Sequence, residues 1–345
     1  MKKSVRLKEH MKNIPHERHA TKERWTSDEE FKRLLKLISE GFPATEWIAL
    51  CPALKHPFAE REVSDLKGIP LDSRRIGAMD LSDSFLNGSS FVASELEGTG
   101  FQWSLLSDAS FVGAILRLVQ MSPVFGERVD FSGAELRQVF AAESKLTDST
   151  FDRATLDVVD FSGADLSRTS FVNATAKGCR FDHGSLEGAD FSNAELVDCN
   201  MRRSTPIAGR FTGTTLRSCD MSGADFRFAD FTGAQLIGGK FGVIENNGKF
   251  FPTRFDDTPQ MRRLVAISQI AGSDEIEWSP TSHSKYFSGR AKAGDPCSQT
   301  GWWRTLAMVG SRRYFKEGEV MPLIEDSDYG STIWQWDLDQ SAPKL

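Results

Sequence analysis

Residues 151–171 read FDRATLDVVDFSGADLSRTSF. Phe151, Leu156, Phe161, Leu166 and Phe171 recur at a step of five, and Ala154 and Ala164 sit two places before a large residue. The intervening positions are mostly polar. A step of five matches neither the 3.6-residue period of a helix nor the two-residue alternation of a strand.

The step extends in both directions without insertion or deletion, from Leu81 to Phe241, over thirty-three positions. Only Gly126, Ala141, Ala176 and Pro206 interrupt the large apolar column. The column two places earlier is small almost throughout, as in Ser84, Ser89, Ser94, Thr99, Ser104, Ala109 and Ala114. One pentapeptide then forms one side of a square coil, and four close a turn of about 20 residues. A large side chain fits inside each side only where its inward neighbour is small. About eight coils, hydrogen-bonded at roughly the 4.8 Å strand spacing, predict a stack close to 40 Å long.

FSGADLSRTS (161–170), FSNAELVDCN (191–200) and MSGADFRFADFTGAQL (221–236) resemble the A(D/N)LXX motif of the pentapeptide-repeat family. The resemblance covers about half the chain. It implies a mainly-β fold, a right-handed quadrilateral β-solenoid. The expected organisation is a basic arm over 1–25, a helical cap over 26–76, the coil over 77–243 and an aromatic-rich α+β unit over 244–345.

In the cap, Ser27 and Glu30 read as a capping box ahead of Phe31, Leu34, Leu35 and Ile38, with Gly41 as the stop. Pro43 to Leu50 reads as a second helix. A cap is expected because an open solenoid end exposes core and strand edges. After Phe241, QMRRLVAISQIA reads as a short helix. The tail reads as a β-rich unit with turns at Gly301, Gly318 and Gly330.

Cys179, Cys199 and Cys219 are 20 apart and occupy the small inward column. That column favours their use as small core residues over the competing reading, a metal ladder. Five cysteines form no disulfide framework, and His10, His16, His19, His56, His183 and His283 share no metal-ligand spacing with them. No phosphate-cradling glycine loop or nucleophile elbow is present. The expectation is a non-enzyme with no cofactor and no metal.

Two surfaces are candidates for protein binding. Phe85, Leu105 and Phe125 are 20 apart and point outward, with Trp103, Ile115, Leu118 and Phe140 on neighbouring sides. A stacked apolar stripe signals either a covering domain or a partner. In the tail, Trp302, Trp303, Tyr329, Trp334 and Trp336 with Arg304, Arg312 and Arg313 form either the core of a small unit or an aromatic–arginine contact surface.

The chain of 345 residues carries a formal charge of −6. Between Leu81 and Phe241 there are 21 Asp/Glu and 14 Lys/Arg. This balance disfavours direct nucleic-acid binding and suits a basic partner or imitation of a DNA backbone. No apolar run approaches a membrane span, and no apolar core follows the basic N-terminal residues, so the expected location is cytoplasmic.

The tail residues Cys297, Gly301, Trp302, Trp303, Arg313, Phe315, Gly318, Met321, Pro322, Gly330 and Trp334 resemble C-terminal segments of bacterial immunity proteins from polymorphic-toxin and type VI secretion loci. That resemblance implies neutralisation of a cognate, basic bacterial toxin domain by direct binding. The pentapeptide-repeat resemblance implies an alternative, a DNA-mimicking inhibitor or protector of a type II topoisomerase such as DNA gyrase. A scaffold or adaptor for a secreted effector is a third reading.

Overall fold

The computed structural model describes residues 62–246, 249–268 and 270–279. It also describes residues 29, 32, 36, 53–55, 290–292, 294, 297, 301–305, 313–316, 318–322 and 333–336. The chain forms two compact units, Met1–Ser279 and Pro280–Leu345. Glu29, Lys32 and Lys36 are helical, within the span read as the first helix; the other residues of that span, the capping box, the expected second helix and the basic arm lie outside the described residues.

Strands β1 (Ala53–Lys55) and β2 (Glu62–Ser64) pair antiparallel. From Asp65 the chain enters the coil. Phe85 bridges Leu105, Ser90 bridges Ser110, Glu95 pairs with Ile115 and Gly100 bridges Gln120, all parallel and all 20 residues apart. These four columns are the first to fourth sides. The third side is a parallel nine-stranded sheet of β3 (Arg75–Ile76), β4 (Glu95–Glu97), β5 (Ile115–Arg117), β6 (Glu135–Arg137), β7 (Thr155–Asp157), β8 (Thr175–Lys177), β9 (Glu195–Val197), β10 (Thr215–Arg217) and β11 (Gln235–Ile237). The fold is therefore a four-sided β-solenoid.

Corners turn by a repeated local device. The residue two after a large one takes a left-handed backbone at nearly all corners, as at Gly88 (φ 66°) and Asp108 (φ 62°), with Pro123 an exception. The following N–H closes a turn onto the large residue's carbonyl, as in Ser89 N–H to Leu86 O at 3.1 Å. Aspartates just before the large residue accept the N–H just after it: Asp130 from Ser132, Asp160 from Ser162 and Asp190 from Ser192, each at 2.9 Å. The repeat thus uses its carboxylates as turn clasps.

Inside, phenylalanines one coil apart stack face to face. Phe131 and Phe151 are 4.7 Å apart, and so are Phe171 and Phe191. Polar members of the small column donate to a carbonyl of the preceding coil: Ser104 Oγ to Leu81 O at 2.7 Å and Thr214 Oγ1 to Phe191 O at 2.6 Å. A buried hydroxyl matched in this way costs little beside Ala. Gly126 breaks the large column because Val129 fills its place; a Cβ there would lie 2.5 Å from Val129 Cγ2.

Two boundaries differ from the sequence reading. The coil begins at Asp65, which bridges Phe85, so Leu66, Leu71 and Ile76 belong to its core and not to a helical cap. At the other end it continues past 243. Arg254 bridges Asp225 and Ala271 bridges Lys240, so an irregular final turn closes the stack. That turn contains β12 (Ile244–Asn246) and β13 (Lys249–Phe251), then β14 (Arg254–Asp256), α1 (Pro259–Ser268) and β15 (Glu277–Ser279). Phe255 stacks on Phe226 at 5.1 Å, and Met261 and Val265 of α1 enter the same core.

The second unit holds the antiparallel sheet β16 (Arg290–Lys292), β17 (Gly301–Thr305), β18 (Arg313–Phe315) and β19 (Ile333–Trp336), in the order β16-β19-β17-β18. The small β-rich unit is as expected. Gly301, however, opens β17 opposite Phe315 and makes no turn; Gly330 lies outside the described residues.

Candidate functional site

The tail tryptophans divide. Trp303 and Trp334 are fully buried with Cys297, Phe315 and Met321, so they are core and not a contact surface. Trp334 Nε1–H donates to Pro322 O at 2.7 Å, and its ring meets Phe315 edge-on at 4.9 Å. A unit this small needs large rings to bury enough apolar area. Trp302 is half-buried edge-to-face with exposed Tyr314 at 5.4 Å, and Arg313 is exposed with its guanidinium 5.7 Å from the Trp334 ring. The Trp336 side chain, Arg312 and Tyr329 lie outside the described residues.

Of the two readings of the first-side stripe, burial favours a covered surface over a partner-binding one. Phe85, Leu105 and Phe125 do form a cluster separate from the interior. Phe85 and Leu105 are nevertheless buried, at 7% and 6% exposure, and Lys67 Nζ lies 5.2 Å over the Phe85 ring. A partner cannot reach them in this conformation.

Exposed apolar surface gathers on the fourth side. Trp103, Leu118, Phe140 and Val158 are 46, 48, 42 and 54% exposed. They occupy four successive coils of one side: Leu118 and Val158 at one corner, Phe140 in the bridge column, and Trp103 at the opposite corner. Trp103 leans on Phe125 with ring centroids 6.2 Å apart. Between them lie Gly100, Gln120, Ser122, Pro123, Gln138 and Ala142, none of them charged. An apolar centre depleted of charge is the composition of a protein-contact core.

Three of these four side chains stand on left-handed backbone: Trp103 at φ 63°, Leu118 at φ 55° and Val158 at φ 55°. Equivalent corners elsewhere carry Gly98, Gly178, Asn173 and Asn193, which suit that conformation, but also Ala93, Arg128, Gln138, Arg153 and Phe228. A β-branched or bulky residue there costs about 1–2 kcal/mol. Exposure and backbone strain both act against placing large apolar side chains at these corners. Sequence reasoning named Trp103, Leu118 and Phe140; Val158 was legible only through its 20-residue offsets from Leu118.

Charge elsewhere is locally paired. Asp108, Arg128, Asp148 and Arg168 form an alternating ladder on one corner, with Arg128 bidentate to Asp108 (2.8 and 2.9 Å) and Arg168 bidentate to Asp148 (2.7 Å twice). The second side runs Asp130, Thr150, Ser170, Asp190, Arg210, Asp230, so its acidic column is interrupted.

A cleft of about 150 Å³ lies beside α1, lined by Phe226, Phe231, Phe255, Met261, Asp230 and Asp256. Burial alone would raise Asp230, but hydrogen bonds from Thr232 and Thr212, with Arg210 nearby, hold it below the usual carboxylate value. Burial raises Asp256, whose Oδ2 accepts the Phe228 N–H at 2.6 Å. Among the described residues no group of three or more His, Cys, Asp or Glu is arranged to hold a metal. Cys179, Cys199 and Cys219 each place Sγ about 3.5 Å from a carbonyl of the preceding coil, the same contact the Ser and Thr residues make. Hydrogen bonding to Cys199 and burial hold the thiols of Cys179 and Cys219 far above the usual range. Among the described residues no helix is long and apolar enough to cross a membrane.

A family model described as pentapeptide repeats matches in 8 copies, over residues 127–163, 169–205 and 210–242. No curated protein matches the chain. Among solved structures the chain is similar to HetL, a pentapeptide repeat protein involved in heterocyst differentiation regulation from the cyanobacterium Nostoc sp. strain PCC 7120. That match has 18% identity, covers 63% of this chain and 98% of that one, and has a TM-score of 0.29. It is also similar to trypsin-treated QnrB1, a plasmid-mediated fluoroquinolone resistance protein, with 17% identity, coverage of 61% and 97%, and a TM-score of 0.33.

Proposed function

The coil belongs to the pentapeptide-repeat family, and from that premise we propose that this protein is a non-catalytic binding protein whose fourth side receives a protein partner. The observation that carries this reading is the set of exposed apolar side chains Trp103, Leu118 and Val158 around Phe140. Large apolar side chains left in water in a cluster mark a contact surface, and the isolated chain gains no stability from them. Backbone hydrogen bonds tie each coil to the next on all four sides, so the surface needs little ordering on binding.

Neutralisation of a basic bacterial toxin domain is the form of binding we put forward. Its support is the acidic coil, with 21 Asp/Glu against 14 Lys/Arg between Leu81 and Phe241. The interrupted acidic columns favour apolar anchoring over imitation of a DNA backbone. The test is co-expression in bacteria with toxins encoded beside this gene. Rescue is expected from the natural chain and lost with Trp103→Asp/Phe140→Asp. Rescue that survives both substitutions removes the fourth side from the reading; no rescue from any neighbouring toxin removes the toxin.

A further inference from the structure

The fourth side has a geometry that selects the shape of its partner. Resting on the protein-binding reading above, we infer that the occupant is an amphipathic α-helix of the partner, laid along the coil axis, with an apolar stripe flanked by Lys and Arg.

The first argument is spacing. Successive coils rise by the distance between stacked phenylalanines, 4.7 Å for Phe131 and Phe151 and 4.8 Å for Phe111 and Phe131. One α-helical turn rises about 5.4 Å. Side chains at i and i+7 of a helix, about 10.5 Å apart, therefore stay within about 1 Å of two coil steps, with i+4 falling near the coil between them. Trp103, Leu118, Phe140 and Val158 span three coil steps, the length of about ten helical residues. A strand laid the same way advances about 6.8 Å between same-face side chains and falls out of step after one coil.

The second argument is charge. From residue 78 to residue 183 the fourth side and its Leu118 corner carry Asp80, Asp83, Glu97, Glu143, Asp157, Asp160 and Asp182 against Arg117, Arg137, Lys177 and Arg180. Arg180 bridges Asp160 and Asp182, each at 3.2 Å. A net acidic rim around an uncharged centre complements an apolar stripe with basic flanks. It also opposes a second copy of this chain, because two copies facing each other through this side would bring the same acidic rims together.

The probe is a side-chain-stapled 14-residue peptide with Leu at i, i+4, i+7 and i+11 and Lys/Arg beside them, titrated into the full chain by calorimetry. A scrambled peptide of the same composition is the control. One-to-one binding is expected, at least tenfold weaker for the scramble and for Leu118→Asn and Phe140→Ser. Leu118→Asn suits the left-handed corner and keeps the fold, and thermal melts of both variants verify it. Equal binding of the scramble, or binding indifferent to both variants, overturns the helix. A photo-crosslinker at position 140 then separates the two readings. Crosslinks from a toxin that the chain rescues, landing on a segment without the apolar i, i+4, i+7 pattern, overturn the helix and leave the docking side intact. Absence of any crosslink to a rescued toxin overturns both. A dimer that Phe140→Ser converts to monomer overturns the separate partner.

Discussion

Val158 combines a β-branched side chain, φ of 55° and 54% exposure. Asn tolerates that backbone, so Val158→Asn is expected to stabilise the chain by about 1 kcal/mol in urea unfolding, even though it removes apolar atoms. Destabilisation would show that the valine packs on its neighbours more than its exposure implies. Asp256 illustrates the opposite pressure. Burial raises its folded pKa, so its charged form is disfavoured by folding. The penalty is present above the folded pKa and vanishes below the unfolded value of about 3.9. Asp256→Asn is therefore expected to raise Tm at pH 7 and to match the natural chain near pH 3. A Tm lowered at pH 7 would mean that the Phe228 N–H contact outweighs the burial. Neither residue stood out in the sequence, since backbone angle and burial at a single corner follow from the register only once the coil is built.

At the scale of elements, the two columns that decide the fold were fully legible, because an inward-facing position tolerates so few residue types. They failed at the first coils for a reason visible in the residues. Ile69, Arg74 and Met79 replace the small neighbours of Leu71, Ile76 and Leu81, so the second column vanishes while the first continues. They failed at the last turn because Arg254 and Ala271 stand 29 and 31 residues after their partners, and the step of five is lost. The candidate stripe Phe85–Leu105–Phe125 was correctly read as outward, but outward is not the same as exposed. In the tail, aromatic density could not tell core from contact, since both use the same residues. The stacked ring column makes its own prediction. Phe161 is buried with Phe151 and Phe171 edge-on and Phe181 stacked at 5.6 Å. Phe161→Ala is expected to cost about 3–5 kcal/mol in urea unfolding; a loss under 1 kcal/mol would mean that the coil closes over the gap.

Across the whole molecule, the 20-residue register makes coils interchangeable. Removing residues 141–160 joins Phe140 to Phe161 with every column in phase. This shortened chain is expected to fold cooperatively with the β-type circular dichroism of the natural one. Removing residues 141–158 shifts inward positions outward and is expected to abolish the thermal transition. Equal behaviour of the two deletions would contradict a register fixed by side-chain facing.

The same uniform turn has a mechanical consequence. Each coil holds the next through one row of backbone bonds per side and stacked rings, so tension on the two ends of the stack loads the rows one after another. A coil that lets go frees 20 residues, about 70 Å of extended chain. A single molecule stretched between beads would lengthen in equal strides of that size, a sawtooth whose tooth count reads off the number of windings.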